Sequence, residues 1–282
     1  MILPNFIIVG AQKSGTTTLY DVLNNHPEVN MSLIKEVNYF TSNKKMSKGL
    51  EYYSKSFRAP EKTEKVTGEA SPGYMCYPGV AKQIKKDLGD IKIVMILRDP
   101  IQRAFSQYWD NRRHLSEYMT ENEIVDKYLF SEYIPGQRGY FSRGTYINYI
   151  KEYVQNFEVN QIHIIILEEL IRDPEMHLKS LFEFLKISTS KKHLKLNKAS
   201  NSSMIWKNPI YLLFLRHPRL IFLLPKYVRK FLFFGKKSTY KYNLPSLKIT
   251  KTLQNFYAPF VKELEGFLGR EMKYWKMCKK DI

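Results

Sequence analysis

Short apolar runs, separated by amphipathic segments, recur along the first two thirds of the chain. Phe6–Gly10, Ile91–Leu97 and Ile162–Leu167 are almost wholly apolar. Runs of this length and composition are typical of strands that are buried on both faces of a parallel sheet. Lys65–Ala70 is a weaker candidate for a further strand. The pattern therefore predicts a sheet whose strands are separated in the sequence by helices.

Helical periodicity is clearest in the segments that follow these runs. Leu19, Val22 and Leu23 recur at the spacing of one helix face. Asp99 and Pro100 follow the second strand in the order of an N-cap and a first helical residue. Further helices are predicted over Val80–Leu88, Tyr146–Phe157 and His177–Leu185.

Alternating strands and helices predict an α/β fold of three layers, with a central, mostly parallel sheet between two layers of helices. Ligands of such folds bind beyond the carboxyl ends of the strands. The two most distinctive loops, after Phe6–Gly10 and after Ile91–Leu97, both leave strands at that edge. No internal repeat or Ser/Gly linker divides the chain, so residues 1–282 are expected to form a single domain.

The chain has a formal net charge of +18, and this charge is unevenly distributed. The segment from Lys186 to Lys262 holds 17 of the 45 Lys and Arg and no Asp or Glu. The remainder is close to electrically neutral. A segment this basic favours an anionic partner: a membrane surface, an acidic glycan, nucleic acid or the phosphates of a cofactor.

Metal and disulfide chemistry are not indicated. The two cysteines, Cys76 and Cys278, are isolated, and the six histidines form no ligand spacing. We therefore expect no metal. The N-terminus has neither a basic region nor a cleavage site of the signal-peptide type, which predicts a cytoplasmic location.

The segment Gly10-Ala-Gln-Lys-Ser-Gly-Thr-Thr joins the first strand to the first helix. Backbone N–H groups at the start of a helix bind phosphate oxygens, and glycine lets the backbone approach them closely. The spacing is similar to that of a Walker A loop, but Thr16 follows Gly15 and the lysine lies earlier, at Lys13. This displacement argues against an ATPase. A turn without a ligand is the alternative.

FIIVGAQKSGTTTLYDVLNNHPEV closely resembles the 5′-phosphosulfate loop of sulfotransferases that use 3′-phosphoadenosine 5′-phosphosulfate (PAPS), and especially of the heparan sulfate and other glycan enzymes and their bacterial relatives. IVMILRDPIQRAFSQYW resembles the 3′-phosphate motif of the same family, with Arg98 and Ser106 as its anion-binding residues. Residues 253–275 resemble the closing helix and Trp of the bacterial sulfotransferases, so the matches run from Phe6 to Trp275 with residues 204–244 as the main gap. The resemblance implies a P-loop-type fold and PAPS as the cofactor.

The family activity implied is transfer of a sulfuryl group from PAPS to a hydroxyl or amine, with adenosine 3′,5′-bisphosphate as the product. The expected acceptor is a carbohydrate or glycolipid. Lys35-Glu-Val-Asn-Tyr-Phe40 resembles the segment that carries the general base, which assigns that role to Glu36. Lys13 is expected to stabilise the leaving phosphate. The residues expected to bind the cofactor are Lys13, Ser14, Gly15, Thr16, Thr17, Arg98, Ser106 and Lys198.

Residues expected to contact the acceptor come from the segment of the expected base and from two further segments. Lys35 precedes the expected base, and Glu69 and Tyr74 match a family motif in which heparan-type enzymes carry a lysine at the position of Ala70. That departure puts a heparan-like acceptor in doubt, but not the reaction. Tyr146 ends a segment resembling S-x-G-x-Y, which lines the cofactor or the acceptor.

Residues 204–244 form a basic, apolar insertion that is expected to be helical. Pro218 and Pro225 interrupt it, so it is a poor spanning helix. Short apolar helices that carry Lys and Arg lie flat on anionic bilayers. One hypothesis is peripheral contact through residues 207–241 with the inner face of the membrane, where a lipid-linked acceptor would be found. The alternative is a helical subdomain that forms a basic acceptor cleft.

Two other functions compete with sulfuryl transfer. A P-loop kinase or NTPase is disfavoured by the position of Lys13 and by the lack of a clear magnesium-binding carboxylate after Leu97. A basic nucleic-acid-binding protein would account for the charge. However, the chain has no helix-turn-helix, zinc-finger or RNP pattern, so no specific nucleic acid is expected.

Overall fold

The computed structural model describes residues 1–113, 119–132, 139–189, 194, 196 and 245–278. A sheet of five parallel strands lies at its centre, in the order β2-β3-β1-β4-β5. The strands, in chain order, are β1 Phe6–Gly10, β2 Val29–Met31, β3 Val66–Ala70, β4 Lys92–Leu97 and β5 Ile162–Ile166. The predicted α/β fold with a parallel sheet is confirmed.

Helices connect and cover the strands. Those in the described residues are α1 Thr16–Asn24, α2 Asn43–Met46, α3 Gly49–Ser54, α4 Val80–Leu88, α5 Pro100–Arg113, α6 Glu121–Tyr128, α7 Tyr146–Val154, α8 Leu167–Arg172, α9 Pro174–Leu185 and α10 Leu247–Leu268. The helix predicted over Val80–Leu88 has the predicted ends, whereas those predicted over Tyr146–Phe157 and His177–Leu185 are found with one end shifted. For example, α9 begins at Pro174 rather than His177, because the Asp173 side chain caps it by accepting a hydrogen bond from the Met176 N–H.

The central strand β1 separates two hydrophobic cores, because successive side chains of a strand point to opposite faces. Ile7 and Val9 belong to the larger core, which also includes residues of α4, α5, α7 and α10. Phe6 and Ile8 belong to the smaller core, under α1 and α9. A side chain at Gly68 of β3 would lie 2.1 Å from the ring of Phe6, so this strand pairing requires glycine.

The carboxylate of Asp99 caps the N-terminus of α5, as the sequence predicts. The Oδ1 atom of Asp99 accepts hydrogen bonds from the backbone N–H groups of Ile101 (3.0 Å) and Gln102 (3.1 Å). Its Oδ2 atom accepts from the N–H groups of Met277 and Cys278 (2.9 and 3.1 Å). The cap is thus confirmed, and it also anchors the C-terminal segment on the helix that leaves β4.

The insertion at residues 204–244, and with it the proposed membrane contact at 207–241, lies outside the described residues. So does Lys198. Within the described part of the chain, no helix is both long enough and apolar enough to cross a membrane. The same residues contain no cluster of three or more His, Cys, Asp or Glu side chains suited to a metal ion.

Candidate active site

The loop between β1 and α1 has the geometry of an anion cradle. Lys13 and Gly15 have left-handed backbone angles, with φ of 68° and 94°. No side chain caps the start of α1 at Thr16. The first N–H groups of a helix have no partner within the helix, so those of Thr16 and Thr17 are available to an anion. A side chain at Gly15 would lie 2.8 Å from Leu167, which closes the cradle from below.

Ser14 brings a polar atom into this cradle. Its Oγ atom is buried and has no hydrogen-bond partner among the described residues. It lies beside the hydroxyl of Tyr146. Burial raises the pKa of Tyr146, and the nearby charge of Arg103 opposes this shift. A buried hydroxyl normally has a partner, so the unused Ser14 oxygen fits a phosphate oxygen in the loop.

Arg98 connects this cradle to the end of β4. Its Nη1 atom donates a hydrogen bond to the Lys13 carbonyl (3.2 Å), and Nη2 donates to Gln102 Oε1 (3.4 Å). The Arg98 carbonyl accepts from the hydroxyl of Tyr146 (2.8 Å). Ser106 lies two turns into α5 and is buried. Both strand-end loops therefore meet at one edge of the sheet, as their sequence positions predict.

Lys13 is paired with a carboxylate that sequence reasoning missed. Its Nζ atom lies 3.1 Å from Oδ2 of Asp110, and both side chains are about one quarter exposed (24% and 28%). Asp110 follows Ser106 by four residues on α5, which puts both on the same face of the helix. The four-residue spacing from Ser106 is the feature of the sequence that could have identified Asp110 as a site residue. The position places an acidic group directly beside the expected catalytic lysine.

The Lys35–Phe40 loop approaches the same edge from the neighbouring strand. The backbone N–H of Glu36 donates to the Ala70 carbonyl at the end of β3 (3.0 Å). Glu36 and Asn38 are left-handed, with φ of 62° and 50°. Such residues cost about 1–3 kcal/mol each and are frequent at functional sites. The Glu36 carboxylate is 45% exposed and pairs with Lys35 Nζ at 3.0 Å.

Glu69 and Tyr74, expected to contact the acceptor, lie beneath this loop. Both side chains are fully buried. Glu69 accepts hydrogen bonds from the hydroxyls of Tyr53, Ser71 and Tyr74. Burial raises the pKa of Glu69, and these three hydrogen bonds oppose the shift. In this structure neither Glu69 nor Tyr74 offers a surface to an acceptor, because the loop itself covers them.

Tyr146 is also buried, at 1% exposure, and its hydroxyl is engaged with Arg98. The preceding residues form a short 3-10 turn in which Arg143 donates a hydrogen bond to the Gln12 side chain in the anion loop. A side chain at Gly144 would lie 2.8 Å from the Tyr257 hydroxyl. This segment therefore supports the anion loop from the side. Arg143 is a further site residue that motif matching had not singled out.

These features define a P-loop-like α/β protein with an anion-binding edge built from the loops after β1 and β4. The chain belongs to the sulfotransferase family, because the family model described as "Sulfotransferase domain" matches residues 3–211. The family predicted from the two phosphate motifs is thereby confirmed.

Curated relatives include Membrane-associated sulfotransferase kil1 of Dictyostelium discoideum, which is 40% identical over 110 residues and covers 38% of this chain and 23% of its own. Heparan sulfate glucosamine 3-O-sulfotransferase 5 of Mus musculus is 29% identical over 192 residues, covering 66% of this chain and 54% of the relative. The chain thus spans between about a quarter and about half of the length of these relatives.

Solved structures agree with the fold. A sulfotransferase from Alicyclobacillus acidocaldarius aligns with a TM-score of 0.70 at 25% identity, over 98% of this chain and 100% of that protein. The mouse sulfotransferase SULT7A1 was solved as a complex with PAP, the abbreviation for adenosine 3′,5′-bisphosphate. It aligns with a TM-score of 0.53 at 16% identity, over 91% of this chain and 84% of its own. The second likeness is one of fold alone.

Proposed function

We propose that this protein transfers a sulfuryl group from PAPS to a hydroxyl or amine of an acceptor. The observation that carries the proposal is the meeting of Lys13, Ser14 and Arg98 at one sheet edge, with Ser106 on the helix that follows. Membership of the sulfotransferase family supports the same cofactor class.

Separate sets of residues are suited to bind the 5′ end and the 3′-phosphate of PAPS. Ser14, Gly15, Thr16 and Thr17 suit the 5′ end, because a helix start without a side-chain cap and an unused buried hydroxyl favour an anion there. Arg98 and Ser106 suit the 3′-phosphate. The planar guanidinium of arginine matches the geometry of phosphate oxygens and stays charged at all relevant pH values.

Glu36 and Lys13 are the residues that act during transfer. When bound, PAPS supplies a sulfuryl group on a good leaving phosphate. Glu36 accepts the proton of the attacking hydroxyl, and its partial exposure leaves it open to an acceptor. Lys13 stabilises negative charge on the leaving oxygen, which requires its ammonium group to turn from Asp110 towards the phosphate.

The names of the relatives support one class of acceptor. Several of them are named as heparan sulfate sulfotransferases of both the 3-O and the N type, which supports a carbohydrate acceptor here. Ala70 stands where the heparan-type enzymes carry a lysine, so a less anionic sugar suits this site better than heparan. Lys35, whose Nζ atom pairs with Glu36 at 3.0 Å, is placed next to the base to contact such an acceptor.

More specifically, the proposed acceptor is a lipid-linked carbohydrate at the cytoplasmic face of a membrane. One relative is named as membrane-associated, and residues 207–241 of this chain are both apolar and basic. Cationic side chains at an anionic bilayer surface contribute about 1 kcal/mol each. The cytoplasmic leaflet therefore offers both a docking surface and a source of acceptor.

The test is thermal stabilisation by adenosine 3′,5′-bisphosphate, compared with ADP and with ATP plus magnesium. A ligand that binds only the folded state raises the melting temperature. We expect a shift with the bisphosphate alone, and its loss in Arg98→Ala. A shift with only ATP and magnesium would overturn the assignment in favour of a kinase.

A further inference from the structure

We propose that Glu69 is a positioning residue for the catalytic loop: a buried carboxylate that orients two hydroxyl groups so that they hold the backbone of residues 38–40, and with it Glu36. The inference rests on the proposed role of Glu36 as the base. It reassigns Glu69 and Tyr74 from acceptor contact to control of the loop that meets the acceptor.

Glu69 is completely buried on β3 and receives three hydroxyl donors. Ser71 Oγ donates to Oε2 at 2.6 Å, and Tyr74 Oη donates to Oε1 at 3.1 Å. The hydroxyl of Tyr53, on α3, also donates to Oε1. The nearby positive charge is Lys45 of α2, whose ammonium donates a hydrogen bond to the Val37 carbonyl in the same loop.

Each of these hydroxyls has only one proton, and that fact sets the direction of the network. A hydroxyl that donates to Glu69 has only acceptor capacity left for other partners. Ser71 Oγ accepts from the N–H of Asn38 (2.9 Å). Tyr74 Oη accepts from the N–H of Tyr39 (2.7 Å) and of Phe40 (3.3 Å). Three consecutive N–H groups of the loop are therefore bonded to hydroxyls that Glu69 has oriented.

The loop needs this external restraint. Glu36 and Asn38 both have left-handed backbone angles, which residues with a side chain adopt only when their surroundings impose them. The N–H groups of residues 38–40 are bonded to side chains rather than to a neighbouring strand. The Glu36 N–H bond to Ala70 fixes one end of the loop, and the Glu69 network fixes the other.

Direct contact between Glu69 and an acceptor would require the loop to open, because Phe40 and Tyr39 are themselves buried over the network. Tyr39 stacks on Tyr53 with 4.4 Å between ring centroids. Phe40 meets Tyr74 edge to face at 5.6 Å. Aromatic packing and the hydroxyl network thus form one support under the catalytic loop.

The test begins with Glu69→Gln, which keeps the shape but replaces one acceptor oxygen by an NH₂ donor. At least one hydroxyl then loses its acceptor and its orientation. We expect kcat to fall about 10²-fold, the penalty typical of a slightly misplaced catalytic group, with unchanged affinity for adenosine 3′,5′-bisphosphate. Hydrogen exchange at the N–H groups of residues 38–40 should accelerate in the intact protein.

Ser71→Ala and Tyr74→Phe provide independent readings, because each removes one hydroxyl and leaves the carboxylate. Ser71→Ala should accelerate exchange at Asn38, and Tyr74→Phe at Tyr39 and Phe40. Glu169→Gln is the matched control, since it also removes a buried carboxylate but one that pairs with Arg270. It should leave kcat and the exchange of residues 38–40 unchanged.

Unchanged exchange and kcat in Glu69→Gln would overturn the proposal, and a change in acceptor KM alone would return Glu69 to an acceptor-binding role. The exchange measurement needs neither cofactor nor acceptor. If Glu36→Gln retains full turnover while residues 38–40 still loosen in Glu69→Gln, the base assignment fails and the loop support stands. The two failures are therefore distinguishable.

Discussion

At the scale of single residues, the proposed site contains two carboxylates in opposite surroundings. Glu36 is half exposed at the loop surface and is paired with its neighbour Lys35. Glu69 is fully buried below it and is surrounded by hydroxyl donors. Solvent access suits the first to exchange a proton with an acceptor, and burial suits the second to fix geometry.

Replacing Glu36 tests the proton transfer. We expect Glu36→Gln to lose about 10²–10⁴-fold in kcat, the usual contribution of a general base, while its affinity for adenosine 3′,5′-bisphosphate stays the same. Steady-state turnover and calorimetric titration measure the two quantities. Glu51→Gln, on the exposed face of α3, is the control. Survival of turnover in Glu36→Gln would locate the base elsewhere.

Burial of Glu69 also predicts how stability depends on pH. Because burial raises its pKa in the folded state, the folded protein binds a proton more tightly than the unfolded chain. We therefore compare the free energy of unfolding of the wild type with that of Glu69→Gln. The difference in favour of the wild type should fall as the pH rises, beginning near the pKa of an unfolded glutamate, about 4.3, and ending above the raised pKa of the folded state. Below that window the contribution is fully present.

Urea unfolding of both proteins across this window measures the difference, which changes by at most about 1.4 kcal/mol per pH unit. The glutamine variant does not titrate at this position, so it serves as the internal reference. A difference that grows with pH would mean that the three hydroxyl donors outweigh burial and depress the pKa of Glu69.

At the scale of elements, the anion cradle depends on one strand-to-helix junction. Gly15 has a φ of 94° and lies where a side chain would approach Leu167 at 2.8 Å. Its left-handed conformation directs the start of α1 towards the ligand edge. The same junction brings β1 and α8 together, so the proposed phosphate binding and the packing share one residue.

Gly15→Ala should therefore lower both stability and ligand affinity. The left-handed angle costs about 1–2 kcal/mol for a residue with a side chain, and the contact with Leu167 adds to that cost. Gly266→Ala is the matched control, because it lies in α10 with open space around it and should stabilise the protein by roughly 0.5–1 kcal/mol. Thermal melts with and without adenosine 3′,5′-bisphosphate compare the two, and unchanged ligand affinity in Gly15→Ala would contradict the cradle.

At the scale of the whole molecule, charge is segregated rather than spread. The segment from Lys186 to Lys262 carries no acidic residue, whereas the rest is nearly neutral. The catalytic edge described above belongs mainly to the neutral part. A segment this basic predicts an electrostatic preference for anionic surfaces.

We expect the full chain to float with vesicles containing anionic lipid at low salt, to stay behind with neutral phosphatidylcholine vesicles, and to be released by salt. Changing Arg216, Arg219, Lys226, Arg229 and Lys230 to glutamine should abolish flotation. An equal number of exposed lysines elsewhere, at positions 44, 55, 62, 82 and 86, gives the charge-matched control. Failure of the intact protein to float would discard the membrane proposal.

Features that depend on nearby residues could be read from the sequence. The strands β1 and β4, the Asp99 cap and the phosphate loop all follow from local apolar runs, capping residues and glycine. Short elements such as β2 were missed, because three residues carry too little pattern. Lys198 and residues 204–244 lie outside the described residues, so their expected roles stay predictions.

The sequence by itself determined the alternation of strands and helices, the family and the two phosphate motifs, because each depends on residues that are adjacent in the chain. Tertiary structure alone decided which polar groups are buried and which partners they meet. Asp110 reaches Lys13 and Glu69 lies under the Glu36 loop only because distant segments pack together. Burial depends on that packing, so two glutamates that look alike in the sequence occupy positions with opposite chemistry.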